Sequence, residues 1–197
     1  MRISIVGHGP VAEPLARLAE RAGHTVDWGE EGAALSRVGD GADLVILAVS
    51  STAVETILVS ILPAISKDVV IVDAIVPAED DRGGSEMPAS SGTAGIAATL
   101  SRARIVRAFA SVPAEALASV LNGPTSEQSA RLAVPFAGDD REAKALVAKF
   151  MREIGVEPFD LGALGVAALL DPGGALWQKA WSQIEMLEAV GFLSGDG

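Results

Sequence analysis

RISIVGHGPVAEPLARLAERAGHTVDW, at residues 2–28, is the stretch of sequence that decides the fold. Residues 2–6 are apolar and rich in β-branched side chains, which predicts a buried strand. A helical stripe follows, Gly23 ends it, and residues 25–28 predict a second strand. The stripe consists of Val11, Leu15, Leu18, Ala19 and Ala22. The order strand, glycine turn, helix and strand is the βαβ pattern that carries dinucleotide-binding loops.

The turn between the first strand and the helix has the pattern G-x-G-x-x-A and consists of Gly7, His8, Gly9, Pro10, Val11 and Ala12. Gly7 permits the tight turn, and Gly9 has no β-carbon, so the backbone there can approach a pyrophosphate closely. Ala12 is small enough for the helix to pack on the strand. The N–H groups at the helix start then face the phosphates. We therefore expect these six residues to bind a dinucleotide on a Rossmann-like fold.

Two features of the predicted helix do not favour such a site. Pro10 suits the first helical position, whereas Pro14, one turn later, predicts a kink or a delayed helix start. Glu13 places a negative charge near the expected pyrophosphate. The alternative is therefore a Rossmann-like domain that has lost its ligand.

Composition limits the class of protein. The chain has 197 residues, of which 49% are hydrophobic and 21% charged, as in a folded protein with one sizeable core. A net charge of -11 argues against nucleic-acid and anionic-membrane partners. The absence of cysteine excludes disulfides and thiolate chemistry, and two histidines cannot form a multi-histidine metal site, so we expect no metal. No apolar run is long enough to cross a membrane, and we expect a cytoplasmic protein.

The rest of the chain continues the alternation of strands and helices, which predicts a doubly wound, mostly parallel α/β sheet over residues 1–163. Later strands are predicted at 44–49, 68–73, 104–110, 131–138 and 156–160. Helices are predicted at 33–38, 53–62, 94–101, 114–121 and 141–154. The hydroxyl residues at 50–52 can cap the helix that follows them. Pro135 indicates that its strand lies near an edge of the sheet.

Two segments differ from this strand–helix alternation. Residues 77–95 are rich in Gly, Pro, Ser and acidic side chains, which predicts either a lid over a binding site or a mobile surface loop. Residues 164–197 are predicted to form a helical segment that packs on the same domain. Its stripe is a core-facing surface, a dimer contact or a wall of the substrate site, so a homodimer is expected as an alternative. The stripe consists of Trp177, Ala180, Trp181, Ile184 and Leu187.

Several motifs in this order resemble one family. They are G-H-G-P-V-A at 7–12, A-G-H-T-V at 22–26, A-D-L-V-I-L-A-V at 42–49, R-I-V-R-A-F-A-S-V at 104–112, P-F-A-G-D-D at 135–140, V-E-P-F-D-L-G at 156–162 and L-L-D-P at 169–172. The chain resembles the deazaflavin (coenzyme F420)-dependent NADP oxidoreductases, which are short Rossmann proteins similar to the cytosolic domain of membrane ferric reductases. The resemblance covers nearly the whole chain.

The resemblance implies direct hydride transfer between a nicotinamide and a deazaflavin, without a metal. Catalysis in such a site is positioning of the two rings, so no catalytic side chain is assigned. Mapped by motif, Val49, Ser50 and Ser51 flank the ribose and the nicotinamide. The segment that holds Ile75 and Pro77, and the turn at Ala110, line the cleft.

The chain departs from the family at three places. Glu30 and Glu31 replace a basic pair that holds the 2′-phosphate of NADP, Val76 replaces an asparagine before Pro77, and residues 109–111 read Phe-Ala-Ser instead of Phe-Asn-Thr. A carboxylate after the second strand accepts a hydrogen bond from a 2′-hydroxyl and repels a 2′-phosphate. We therefore expect NAD(H) to be preferred over NADP(H), unless the two glutamates are a solvated turn or Arg37 compensates their charge.

Three functions remain open at this point. The first is an oxidoreductase that transfers hydride to or from a flavin, a deazaflavin or a small carbonyl or imine substrate. The second is a non-catalytic dinucleotide-binding or regulatory protein on the same fold. The third is a subunit of a larger assembly, joined through the tryptophan-bearing segment.

Overall fold

The structure is a computed structural model that describes residues 1–29, 35, 37–65, 69–76, 92–101, 103–123 and 131–193, with the backbone alone at 192 and 193. Half of the predicted helix at 33–38 and most of the loop at 77–95 lie outside the described residues. The same is true of three predicted site residues, namely Glu30, Glu31 and Pro77.

Seven strands of the described residues form one sheet in the order β2-β1-β3-β4-β5-β6-β7. They are β1 (Arg2–Val6), β2 (Thr25–Gly29), β3 (Leu44–Leu47), β4 (Val70–Asp73), β5 (Arg104–Ala108), β6 (Ala133–Gly138) and β7 (Glu157–Asp160). The first five strands are mutually parallel, β6 is antiparallel to β5, and β7 is parallel to β6. The predicted doubly wound, mostly parallel, Rossmann-like sheet is confirmed.

Helices cover both faces of this sheet. They are α1 (Ala12–Arg21), α2 (Val54–Ile61), α3 (Thr93–Thr99), α4 (Ala114–Ser119), α5 (Arg141–Glu153) and α6 (Gln183–Leu193), with 3₁₀ turns at Leu62–Ala64, Val120–Asn122 and Leu164–Leu170. Buried side chains of α1, α4 and α5 form one core, and those of α2 and α3 form a second core on the opposite face. No helix in the described part of the chain is long and apolar enough to span a membrane.

The chain reverses its direction of travel across the sheet at β1. From β1 it passes to β2 on one side, and it then returns to place β3 on the other side of β1. The loops that leave β1 and β3 therefore diverge to opposite faces and open a crevice at the carboxyl ends of these strands. Ligands of open α/β sheets bind at such a reversal.

The structure at the start of α1 shows that neither Pro14 nor Glu13 obstructs a site at the glycine turn. The helix begins at Ala12, so Pro14 lies in its first turn, where a missing N–H costs little. Pro10 precedes the helix and does not occupy its first position. The carboxylate of Glu13 lies 2.6 Å from the Arg17 guanidinium, one turn along the exposed face of the helix. The charge of Glu13 is thus compensated locally.

Of two sequence predictions near strand ends, one is wrong and one is confirmed. The hydroxyls at 50–52 do not cap α2, because Ala53 is its N-cap and Ser50 Oγ instead lies 3.0 Å from Thr52 Oγ1. The strand of Pro135 lies near an edge of the sheet, as predicted, since β6 is next to the edge strand β7. Pairing with β5 covers only residues 136–138 of β6. Pro135 therefore lies just beyond the pairing, where a missing N–H does not interrupt the ladder.

The prediction that the C-terminal stripe residues share one face of a helix is also wrong. Trp177 and Trp181 precede α6, and Ile184 and Leu187, which do lie on the helix, are 71% and 58% exposed. The reason is the sequence Asp-Pro-Gly-Gly at 171–174, whose proline and glycines favour a turn and interrupt the helical stretch. The residues of this segment that are buried against β6 are Leu170, Leu176 and Met186.

We expect removal of everything after Asp171 to abolish solubility. The deletion removes the buried Leu176 and Met186, uncovers Ala133 in β6, and breaks the 2.7 Å hydrogen bond from Ala133 N to Trp181 O. Both the apolar patch and the unpaired strand edge promote aggregation. The measurement is soluble yield and size-exclusion chromatography of the truncated chain, with a chain that ends at residue 193 as control. A truncated chain with the yield and elution volume of the full protein would contradict the expectation.

Candidate functional site

The glycine turn leaves β1 in a conformation that only glycine adopts readily. Gly7 is buried with φ +126°, and a β-carbon added there would lie 2.1 Å from Ala48 O, a backbone atom. The turn is therefore packed tightly against the chain that leaves β3. This contact holds the two walls of the crevice together at the point where the strand order reverses.

Gly9 differs from Gly7 in what surrounds it. A β-carbon at Gly9 would meet only Ala48 O, at 4.0 Å, which is an ordinary van der Waals distance. The fold thus does not need a glycine there, whereas a group bound over the turn would. The amino end of α1 follows, and no side chain caps it. Glu13 N already donates to Gly9 O at 3.2 Å, and Pro14 has no N–H, so the N–H groups of Val11 and Ala12 are the ones that remain for an anion, as at a pyrophosphate site.

Backbone hydrogen bonds connect the segments along the carboxyl edge of the sheet. Ala48 N donates to Val6 O at 2.8 Å, Val76 N donates to Val49 O at 3.3 Å, and Ser51 N donates to Val76 O at 2.9 Å. The pairing of β3 with β4 therefore continues past both strands, to a bridge between Ser50 and Val76. The crevice has one fixed wall made of these segments.

The predicted site residues divide by their accessibility. His8 and Pro10 are exposed, and Gly9 and Ser50 are half-buried, so a bound molecule can reach these four. Several others are buried and support the loops from within: Gly7, Val11, Ala12, Val49, Ser51, Ile75 and Ala110. Ile75 and Ala110, which were expected to line the cleft, are 0% and 1% exposed. Among the described residues next to Ile75, the half-buried Val76 is accessible.

Trp28, near the end of β2, contacts the glycine turn from the side of β2. Its indole Nε1–H donates a hydrogen bond to Gly7 O. The ring of His8 lies against the Trp28 ring, with centroids 4.8 Å apart and a 38° angle between the planes. The sequence predicted Trp28 as the last residue of the second strand and assigned it no role in the site. The available signal was an aromatic residue close to the end of the strand that leads to the ribose position.

A buried ion-pair network lies at the ends of β4 and β5. Arg107 Nη1 donates to Asp73 Oδ1 at 2.8 Å and to Ile75 O at 3.0 Å, and Arg107 Nη2 donates to Asp171 Oδ1 at 2.6 Å. Thr93 Oγ1 donates to Asp73 Oδ2 at 2.7 Å. Arg107 and Asp73 are completely buried. The network joins the wall of the crevice to α3 and to the C-terminal segment.

Sequence reasoning missed this network. The available signals were an arginine inside an apolar strand, at position 107, and an aspartate that ends another apolar strand, at position 73. A buried charge requires a partner, so each residue alone predicts that one exists. The network supports the neighbouring wall and does not itself form an open site.

A groove of about 540 Å³ lies elsewhere, between α5 and β7. It is lined by Arg141, Lys144 and Arg152 from one side of the helix and by Pro158 and Asp160 of the strand. Three strands, β4 to β6, separate β7 from the crevice between β1 and β3. The groove is therefore not part of the predicted dinucleotide site.

Several solved structures are similar to this chain. A hypothetical protein from Sinorhizobium meliloti is 22% identical with a TM-score of 0.74, over 93% of this chain and 96% of that chain. A putative F420-dependent NADP reductase from Arthrobacter sp. FB24 is 21% identical with a TM-score of 0.72, over 93% of this chain and 100% of that chain. An imine reductase from Streptomyces aurantiacus is 14% identical with a TM-score of 0.54, over 98% of this chain and 62% of that chain.

Neither a protein-family model nor a curated protein sequence matches the chain. At these identities the similar structures establish the fold, and they leave the ligand to be argued from the site. They agree with the sheet described above and with the resemblance on which the sequence analysis relied.

Proposed function

We propose that this protein binds a nicotinamide dinucleotide in the crevice between β1 and β3 and acts as an oxidoreductase. One observation carries the proposal. The fold requires a glycine at position 7, where a β-carbon would lie 2.1 Å from Ala48 O, but a β-carbon at Gly9 would meet nothing closer than 4.0 Å. A glycine that the fold does not need, placed at the uncapped start of α1, is explained by a pyrophosphate that lies over it.

Two further points support an oxidoreductase. Solved structures of similar fold include proteins named as an F420-dependent NADP reductase and an imine reductase. Hydride transfer between two bound rings needs positioning more than acid–base groups, and the accessible wall offers backbone, Ser50 and Val76. We assign the second substrate to the class of flavins, deazaflavins and small carbonyl or imine compounds.

The second candidate is a non-catalytic dinucleotide-binding or regulatory protein. One observation favours it: Ile75 and Ala110, which mapped onto the wall of a substrate cleft, are buried. Such a protein keeps the adenosine and pyrophosphate contacts and has no room for a second ring. The two candidates make the same prediction for binding and opposite predictions for turnover.

The test is a thermal-unfolding panel of the full chain with NAD, NADP, their reduced forms, flavins and a deazaflavin. A ligand present at about a hundred times its dissociation constant adds about 2.7 kcal/mol to the free energy of unfolding. We expect a shift with the dinucleotides, and hydride transfer to one compound of the second class. Absence of a shift with every dinucleotide would refute the proposal. Binding without turnover of any tested compound would favour the regulatory candidate.

We expect NADH to bind on the order of ten- to a hundredfold more tightly than NADPH. The sequence places Glu30 and Glu31 just beyond β2, and no Lys or Arg lies between Ala22 and Ser36. Like charges about 4 Å apart repel by about 1 kcal/mol in water and by several times that in a partly buried cleft. Two such contacts give the stated preference.

This preference is measured by titrating NADH and NADPH into the parent protein and into a Glu30→Ser/Glu31→Arg variant. The variant should bind NADPH more tightly than the parent does. An Arg37→Ala variant serves as control, since Arg37 is the next basic residue along the chain. Equal or tighter binding of NADPH by the parent, or an unchanged ratio in the double variant, would show that these glutamates do not select the cofactor.

A further inference from the structure

From the contact between His8 and Trp28 we infer that these two side chains form the adenosine platform of the site. The inference rests on the proposed function and names residues that determine its specificity. Trp28 pairs with Ile5 across the sheet, and Gly29 pairs with Val6, the last residue before the glycine turn. The indole thus lies beside the turn, on the β2 side of β1.

The β2 side is where the adenosine half of a dinucleotide lies. In a doubly wound sheet the pyrophosphate crosses the start of the first helix, and the adenosine ribose reaches the end of the second strand. The nicotinamide half then extends toward the strands beyond the reversal, here β3 and β4. His8 and Trp28 consequently face the adenosine half, whereas Ser50 and Val76 face the other half.

The two rings are held in place by the backbone of the turn itself. Trp28 donates to Gly7 O, which fixes the indole, and the His8 ring lies 4.8 Å from it, centroid to centroid. His8 is exposed and Trp28 half-buried, so the pair presents an aromatic surface at the crevice while its inner edge packs on the core. Stacking of a nucleobase on such a ring supplies affinity without a hydrogen-bonding partner.

The platform gives Trp28 a role different from that of the acidic residues that follow β2 in the sequence. An indole cannot accept hydrogen bonds from ribose hydroxyls, so it contributes through its apolar face. The adenine ring is the part of the ligand that offers such a face. The site should therefore recognise the adenosine half as a unit, and ADP-ribose should bind with most of the affinity of NADH.

The experiment uses ADP-ribose as the probe and a Trp177→Phe/Trp181→Phe variant of the full chain, in which Trp28 is the remaining one of the three tryptophans. ADP-ribose lacks the dihydronicotinamide, so it cannot quench indole emission by energy transfer to that ring. We expect the emission of Trp28 to change and to saturate with the dissociation constant found by calorimetry. We expect nicotinamide mononucleotide to leave the emission unchanged.

Affinity is measured on His8→Ala, His8→Phe and Trp28→Leu variants. His8→Ala should weaken ADP-ribose and NADH by a similar factor, on the order of tenfold, because a stacking surface is lost. His8→Phe retains a ring and should restore most of that affinity, which a merely structural role would not predict. Circular dichroism and the unfolding midpoint establish that each variant is folded. Because His8 is exposed, substitutions there should disturb the fold least, so the His8 variants decide the test.

The outcomes separate this inference from the proposed function. If the parent binds NADH and ADP-ribose, but His8→Ala binds both within about twofold of the parent and Trp28 emission does not change, the platform is wrong and the proposed function stands. If the parent binds no dinucleotide, both are wrong. Loss of ADP-ribose affinity in His8→Ala, with recovery in His8→Phe, supports the platform.

Discussion

A Gly9→Val variant should fold like the parent protein and lose more than about a hundredfold of its dinucleotide affinity. Folding is retained because a β-carbon at Gly9 meets only Ala48 O, at 4.0 Å. Binding is lost because a branched side chain occupies the volume that a pyrophosphate needs above the start of α1. The measurements are calorimetric titration with NADH and the unfolding midpoint of the free variant.

Two other glycines provide matched controls for this substitution. Gly7→Val should fail to fold, since its β-carbon would lie 2.1 Å from Ala48 O at a φ of +126°. Gly191→Val should fold and bind normally, because a β-carbon there has no neighbour within 4 Å and α6 packs near β7, at the other end of the sheet from β1. An NADH dissociation constant for Gly9→Val within about tenfold of the parent would show that the ligand does not lie on this turn.

Sequence reasoning was most accurate where structure is determined by neighbours in the chain. β1, α1 and β2 occupy almost the predicted residues, because β-branched runs, a glycine turn and a helical stripe act within thirty residues. α5 is of the same kind: it was predicted at 141–154 and spans Arg141–Glu153, and Asp140 Oδ1 caps it by accepting a hydrogen bond from Ala143 N at 2.7 Å. The glycine turn was found from the same local pattern.

Predictions that depended on distant partners were less accurate. Ile75 follows a strand, as predicted, and Ala110 was expected in the turn at the end of the strand predicted at 104–110, but the burial of both side chains depends on what packs over them. β5 ends at Ala108, two residues early, because the buried Phe109 has a φ of +68° and packs edge-on against Phe150. The position of each side chain was set by residues that are far away in the sequence.

The buried network is the clearest case of a feature that sequence patterns do not reveal. Arg107 contacts Asp73, 34 residues earlier, and Asp171, 64 residues later. Nothing in the periodicity of one strand identifies a partner in another. The sequence does show a charged residue, Arg107, between apolar neighbours in a strand. A buried charge of this kind should affect the free energy of unfolding, which can be measured.

An Arg107→Met variant should lose about 3–5 kcal/mol of unfolding free energy. Arg107 is completely buried, and its guanidinium donates to two carboxylates and to Ile75 O. Methionine replaces much of its volume but leaves Asp73 as a buried carboxylate without its countercharge. The free energy of unfolding of a domain of this size is about 5–15 kcal/mol, so the expected loss is a large fraction of the total stability. Urea unfolding followed by circular dichroism measures it.

The same substitution at Arg104, in the same strand, is the matched control. The Arg104 side chain is 29% exposed and lies 3.9 Å from Asp140 and 3.6 Å from Glu142, so Arg104→Met should cost no more than about 1 kcal/mol. An Arg107→Met/Asp73→Asn variant should be less destabilised than the sum of its single variants, because it removes the uncompensated buried charge. Equal losses for Arg107→Met and Arg104→Met would show that the buried pair contributes no more than a surface one. Additive losses in the double variant would show that Arg107 stabilises the fold through packing and its bond to Ile75 O, independently of Asp73.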